Sequence, residues 1–116
     1  MMQAIGEGMH LLSSFHHEKI DANDVLGCWR NGSVIRSWLI DLMQERLKKD
    51  SAGSLENSPV PSHVEDTGEV NWLISDAIQM EVPIPVISSS IMQLFASRDQ
   101  SKTWAKCIAM MRHGFG

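Results

Sequence analysis

Residues 33–49, with the sequence SVIRSWLIDLMQERLKK, show the apolar periodicity of an amphipathic helix. Ile35, Trp38, Leu39 and Leu42 follow the i, i+3, i+4, i+7 spacing of a helix, with Leu47 further along, so a helix would place them on one apolar stripe. Ser33 stands where an N-cap residue is favoured, and the basic residues of the last turns suit the negative end of the helix dipole. The segment is therefore predicted to form a helix that Ser33 caps.

The same periodicity recurs along most of the chain, and no segment shows the sustained alternation of a β-strand. Asp21 or Asn23 is predicted to cap a short helix, and Pro83 and Pro85 are predicted to open another. The sequence therefore predicts an all-α fold of about six helices. The apolar stripes behind this prediction also include Met2, Ile5, Met9 and Leu12; Ile74, Ala77 and Ile78 of a helix from about Trp72 to Met80; Ile87, Ile91, Leu94 and Phe95; and Trp104, Cys107, Ile108 and Met111.

Residues 50–71, DSAGSLENSPVPSHVEDTGEVN, interrupt this pattern. They are rich in Ser, Gly, Pro and Asn and nearly free of apolar periodicity, which predicts one long irregular loop. Unstructured connections longer than about 12–15 residues in compact domains are usually either functional or disordered. The residues alone leave both alternatives open.

The composition excludes several classes of protein. The chain has 116 residues, enough for one hydrophobic core, so a single domain over residues 1–116 is expected. Its 10 Lys and Arg against 14 Asp and Glu give a net charge of −4, without the basic surface that nucleic-acid binding requires. No apolar run approaches the roughly 20 residues of a membrane span. Neither nucleic acid nor a membrane is therefore an expected partner.

The cysteines and histidines give no metal-binding pattern. Cys28 and Cys107 lie far apart and lack the spacing of a zinc site. The adjacent His16 and His17 would point in different directions on a helix, so they are not predicted to share a metal ion. Because both cysteines stand in apolar stretches, we expect buried thiols in a protein of a reducing, cytoplasmic compartment.

Both termini are predicted to be cuts through a larger protein. The apolar stripe of the first helix is already running at Met1 and Met2, with no residue to cap it. At the other end the chain stops at Gly116, directly after a helical pattern.

Arg36 is the most suggestive candidate for binding a ligand. In the helix predicted for residues 33–49, Arg36 lies in the first turn, where free N–H groups and the helix dipole attract anions. Its guanidinium would add a planar pair of donors for a phosphate group. The alternative is an ordinary ion pair with Asp24 or Asp41, and the local sequence leaves both interpretations open.

Six blocks of sequence occur in the order and approximate spacing of one known domain. They are MMQAIGEGMHLL, WRNGSVIRSWLIDL, VEDTGEVNW, AIQMEVPIPVI, FASR and RHGFG. Together they extend over nearly the whole chain. On these blocks the chain resembles the C-terminal helical domain of 6-phosphogluconate dehydrogenase, most closely in its short bacterial form.

The resemblance implies a part of an oxidoreductase. In this family an N-terminal Rossmann domain, absent from this chain, holds NADP or NAD, and the helical domain supplies the substrate pocket and the subunit interface. The enzyme oxidises 6-phosphogluconate by hydride transfer and releases CO2, leaving ribulose 5-phosphate of the pentose phosphate pathway. The family's catalytic lysine and glutamate would lie just before Met1. The chain alone is therefore expected to be inactive, without catalytic residues or bound cofactor, and to form homo-oligomers.

The resemblance also implies roles for individual positions. Arg36 matches the arginine that binds the substrate phosphate, and Arg112 matches one that reaches into the active site of the partner subunit. Ser33 and Thr67 complete the implied substrate-binding set. The family motif TGEGRW is TGEVNW at residues 67–72, which leaves the exact sugar-acid phosphate open. The alternative hypothesis is a free-standing helical dimerisation or interaction module without catalytic activity.

Overall fold

The computed structural model describes residues 1–51 and 54–116, and these residues contain no strand. The all-α prediction is confirmed, with six helices among the described residues. The chain divides into two compact units, Met1–Val60 and Pro61–Gly116. The first unit contains α1 (Met2–Ser13), α2 (Ala22–Arg30) and α3 (Trp38–Ser51), and the second contains α4 (Glu69–Gln79), α5 (Pro85–Arg98) and α6 (Thr103–Gly114).

The first unit is built around side chains from all three of its helices. Leu26 and Ile40 are fully buried, and Met9 and Leu47 join them in one apolar cluster. α2 and α3 pack directly against each other. The partly buried apolar residues that surround this cluster are Ile5, Ala22, Val25, Trp29, Met43 and Leu55.

A polar contact crosses the α2–α3 packing at Gln44, whose side chain is buried. Its Nε2 donates to the backbone and side-chain oxygens of Asn23, at 3.2 and 3.3 Å. Its Oε1 accepts a hydrogen bond from Nη1 of Arg30 at 3.4 Å. Because a buried amide is costly without partners, these bonds fix the register of α2 against α3.

α3 begins later than the sequence predicts. The helix starts at Trp38, and Ser33 does not cap it. Instead the hydroxyl oxygen of Ser33 accepts the N–H of Ile35 at 3.2 Å, which forms a local turn. Such a turn competes with the N-cap for the same hydroxyl. The prediction that Arg36 lies in the first turn of this helix is therefore wrong, because Arg36 precedes α3.

The apolar stripe predicted for α3 only partly matches the face that the structure buries, because Leu47 belongs to both and the earlier residues of the stripe do not. Trp38 is 75% exposed and Leu42 is 42% exposed, whereas Ile40, Gln44 and Leu47 are buried. The three buried residues are spaced four and three apart, so they lie on one face of the helix. Trp38 and Leu42 lie on the opposite face, away from the core of this unit.

Local sequence signals place the starts of α2 and α5 correctly. Asp21 caps α2, since its Oδ1 accepts the N–H of Asn23 at 2.7 Å and that of Asp24 at 3.3 Å. Pro85 is the first residue of α5, where its missing N–H has no helical partner to lose.

The irregular segment predicted for residues 50–71 is shorter in the structure. α3 continues to Ser51, and α4 begins at Glu69, three residues before the predicted start. Gly68 is the N-cap of α4 and has a φ of 79°, in the left-handed region that favours glycine. Residues 52 and 53 lie outside the described residues, and residues 54–68 contain no helix or strand.

The second unit has a much smaller interior than the first. Within residues 61–116, all of which are described, only Ala77 and Ile91 are buried. α6 buries none of its residues. Ile78, predicted to share the inner face of α4 with Ala77, is 72% exposed.

The expectation of buried thiols is wrong, because Cys28 and Cys107 are both exposed. Cys28 follows the buried Leu26 by two residues, which places the two side chains on nearly opposite faces of α2. Cys107 lies on α6, the helix without a buried face.

Candidate functional site

Arg36 lies on the connector between α2 and α3, residues 31–37. Nε of Arg30 and Oδ1 of Asp41 are 2.8 Å apart, and this ion pair joins the two helices near the ends of the connector. Asp41, one of the two predicted partners of Arg36, is therefore paired with Arg30 instead. The other, Asp24, forms no ion pair among the described residues.

The side chain of Arg36 is exposed and has no hydrogen bond or ion pair with any described residue. Its backbone N–H donates to the carbonyl of Ser33 at 3.2 Å, so one turn holds the two residues together. The Ser33 hydroxyl accepts the N–H of Ile35, which leaves its proton free to donate elsewhere. The connector thus presents an arginine and a hydroxyl donor, the groups that an anion requires.

A cavity of about 460 Å³ opens beside Arg36 in the first unit. Its wall is mostly apolar, with Ile5 of α1, Trp29 of α2 and Val34 of the connector, and Arg36 is the single charged side chain among its lining residues. A charge beside apolar surface is screened less by water than a fully solvated one. An anion bound to Arg36 at this cavity would therefore be held more strongly than at an open surface.

Thr67 and Arg112 lie in the second unit. Thr67 is exposed between Asp66 and Gly68, and Oδ1 of Asp66 accepts the N–H of Gly68 at 2.7 Å. Arg112 lies in the last turn of α6, and its exposed side chain has no partner among the described residues. Both side chains are free to contact a ligand.

Sequence reasoning missed one interaction beside Thr67. Arg98, the last residue of α5, places its Nη1 2.8 Å from Oδ2 of Asp66 and donates through Nη2 to the carbonyl of Val64. The residues of this ion pair are 32 positions apart in the chain. No local pattern indicates such a pair, although the FASR block already contained Arg98.

The described residues contain no group of three His, Cys, Asp or Glu side chains placed to hold a metal ion. Among the helices in residues 1–51 and 54–116, none is both long enough and apolar enough to cross a membrane.

Comparison with known proteins places the chain in a family. Residues 1–116 match the sequence profile described as 6-phosphogluconate dehydrogenase, C-terminal domain. The chain is 34% identical over 116 residues to a Haloferax volcanii protein named "6-phosphogluconate dehydrogenase, NAD(+)-dependent, decarboxylating". It is 32% identical over 116 residues to a Bacillus subtilis protein named "Putative 6-phosphogluconate dehydrogenase YqeC". The whole chain is covered, and it spans 38% and 37% of the two relatives. The chain belongs to the 6-phosphogluconate dehydrogenase family and corresponds to its C-terminal domain.

Proposed function

We propose that the chain is the substrate-binding and oligomerisation part of an enzyme that oxidatively decarboxylates 6-phosphogluconate to ribulose 5-phosphate with NADP or NAD. The family supports an oxidoreductase, and the name of the Haloferax relative supports decarboxylation and a nicotinamide cofactor. The observation that carries the proposal is the unpaired Arg36 beside an apolar cavity.

In this proposal Arg36 binds the phosphate group of the substrate. Its planar guanidinium donates two parallel hydrogen bonds to phosphate oxygens, which a lysine could not do. Ser33, on the same turn, donates its hydroxyl proton to the same group. Thr67 donates a further hydroxyl, and Arg112 is contributed by a second copy of the chain.

The cofactor belongs to a part of the enzyme outside these residues. A dinucleotide diphosphate is usually bound by a glycine-rich turn between a strand and a helix. The described residues contain no strand, so they do not form that site. The nicotinamide cofactor supplies the hydride acceptor, and this chain contributes binding and orientation of the sugar acid.

Oligomerisation is supported by the surface of α6. Trp104, Ile108, Met111 and Phe115 recur at helical spacing along one face and are 63%, 48%, 60% and 90% exposed. A helix of 12 residues that buries nothing is marginally stable in water. An exposed apolar face of this kind is typical of a protein interface. We therefore propose that α6 packs in a homo-oligomer.

Sedimentation velocity of the chain over a range of concentrations tests the oligomer. Ile108→Glu places a charge in the apolar face and is expected to shift the protein toward monomer. Lys106→Gln, on the other side of α6, changes the net charge by the same amount and should leave association unchanged. A wild-type chain that stays monomeric at every concentration would contradict this part of the proposal.

The reaction is tested by spectrophotometry on the enzyme that contains this chain. We expect reduction of NAD⁺ or NADP⁺ and release of CO2 that both depend on 6-phosphogluconate, and no turnover by residues 1–116 alone. An enzyme with no such activity would overturn the proposal and leave the helical interaction module as the hypothesis that fits.

A further inference from the structure

The carboxylate of Asp66 contacts two different elements of the second unit. Its Oδ1 accepts the N–H of Gly68 at 2.7 Å, and its Oδ2 lies 2.8 Å from Nη1 of Arg98. Nη2 of Arg98 donates to the carbonyl of Val64. Arg98 is therefore bonded to the chain directly before Thr67, and Asp66 is bonded to the residue directly after it.

These contacts restrain the loop at the surface of the second unit. The side chains of Arg98 and Asp66 are 29% and 25% exposed, so water screens the ion pair only in part. Gly68 has a φ of 79°, which most other residues would not adopt without strain. Residues 64–68 are thus restrained by Arg98 on one side and by the start of α4 on the other.

We infer that Arg98 is a positioning residue, which acts through Asp66 to present the hydroxyl of Thr67 to the substrate. The inference rests on the proposed function, in which Thr67 contacts the sugar acid. Ordering a flexible loop residue on binding costs conformational entropy, and a loop that is already ordered avoids this cost. Arg98 itself donates to Asp66 and Val64 and is not assigned a contact with the substrate.

Substitutions of Arg98 and of Asp66 test how much their ion pair contributes to KM for 6-phosphogluconate. Arg98→Gln removes the charge, and Asp66→Asn keeps an oxygen that can accept the N–H of Gly68. Each is expected to raise KM for 6-phosphogluconate about tenfold, the effect of ordering about one residue on binding. Arg98→Lys keeps the charge but has one nitrogen in place of the two that reach Asp66 and Val64, so its KM should lie between those of the wild type and Arg98→Gln.

A positioning role and a purely structural role predict changes in different constants. A positioning role changes KM for 6-phosphogluconate. We expect kcat and the KM for the nicotinamide cofactor to stay within about twofold of the wild type, because the chemistry and the cofactor site are untouched. The double variant Asp66→Asn, Arg98→Gln should have the KM of Arg98→Gln alone, since that substitution already removes the interaction with Asp66. Arg46→Gln, which removes an exposed α3 charge paired with Asp50, is the matched control and should leave every constant unchanged.

The outcomes distinguish this inference from the proposed function. If the wild-type enzyme does not turn over 6-phosphogluconate, the proposed function fails, and the role of Arg98 fails with it. If the wild type is active and Arg98→Gln has a wild-type KM with a lower melting temperature, only the positioning role is overturned. A higher KM for Arg98→Gln that Arg98→Lys partly restores supports it.

Discussion

The two units of the chain use similar helices in different ways. The first unit buries Leu26, Ile40 and Leu47 in a shared core, whereas the second buries only Ala77 and Ile91 among residues 61–116. Both units carry apolar stripes at helical spacing, so the difference is not one of composition. An apolar stripe therefore predicts a helix, but it does not indicate whether other helices of the same unit bury that stripe. The apolar face of α6, which the second unit leaves exposed, is the surface that we propose packs in a homo-oligomer.

Polar contacts also differ between the units. In the first unit, the buried Gln44 and the partly exposed Arg30–Asp41 pair link α2 to α3. In the second unit, Asp66 and Asp99 bind backbone N–H groups at the starts of α4 and α6. Aspartates bind N–H groups at helix starts in both units, as Asp21 does in the first, but among the described residues only the first unit has a buried polar side chain between two helices.

The largest expected effect is at the core of the first unit. Leu26→Ala should lower the free energy of unfolding by about 2–5 kcal/mol, because it removes a fully buried side chain and leaves a cavity. Ile108→Ala on α6 should change it by less than about 0.5 kcal/mol when measured on the monomer. Urea denaturation followed by circular dichroism measures both. Equal losses would contradict the comparison between the two units.

A smaller effect is expected at the polar link of the first unit. Gln44→Ala removes a buried amide and its two hydrogen bonds to the partly buried Asn23, which should cost about 1–3 kcal/mol of unfolding free energy. Gln93→Ala on α5 removes an exposed amide and serves as the control, with no expected change. If Gln44→Ala proved as stable as Gln93→Ala, the link would not fix the packing of α2 on α3.

The smallest effect is a pH dependence in the second unit. Hydrogen bonds, first from the Ser101 hydroxyl and then from the Lys102 N–H, lower the pKa of Asp99 below its ordinary value of 3.8. The ionised carboxylate is therefore favoured by folding, and its contribution is present above that value and lost as pH falls through the lowered pKa. Thermal melting between pH 6 and pH 3 should show a loss that Asp99→Asn reduces. An identical pH profile for both proteins would show that ionised Asp99 does not stabilise the start of α6.

Much of the helical fold could be predicted from local sequence, whereas the failures have both local and tertiary causes. Asp21 and Pro85 mark helix starts because a side-chain acceptor and a missing N–H act within one turn. Ser33 has the same chemistry as a cap, but its hydroxyl closes a turn with Ile35 instead. Trp38 has the right periodicity for a core, but only the packing of α2 decides which face of α3 is buried.

The residues of the candidate site are named by the resemblance, and their roles stay predictions, whereas their contacts do not follow from the sequence. The resemblance named Arg36, and the local sequence left its pairing with Asp41 open. The structure gives Asp41 to Arg30, a choice that depends on how α2 and α3 pack. The Asp66–Arg98 pair joins residues 32 positions apart, so it follows from tertiary structure alone.

Competition kinetics can show whether Arg36 recognises the phosphate group of the substrate. In the enzyme that contains this chain, we would measure KM for 6-phosphogluconate and the inhibition constant of gluconate, which lacks the phosphate. Arg36→Ala should raise KM for 6-phosphogluconate roughly 10- to 100-fold, since a charged hydrogen bond contributes about 1.5–3 kcal/mol. It should leave the inhibition constant of gluconate within about twofold of the wild-type value. Arg46→Ala should alter neither constant. An unchanged KM, or an equal rise in both constants, would contradict the assignment of Arg36 to the phosphate.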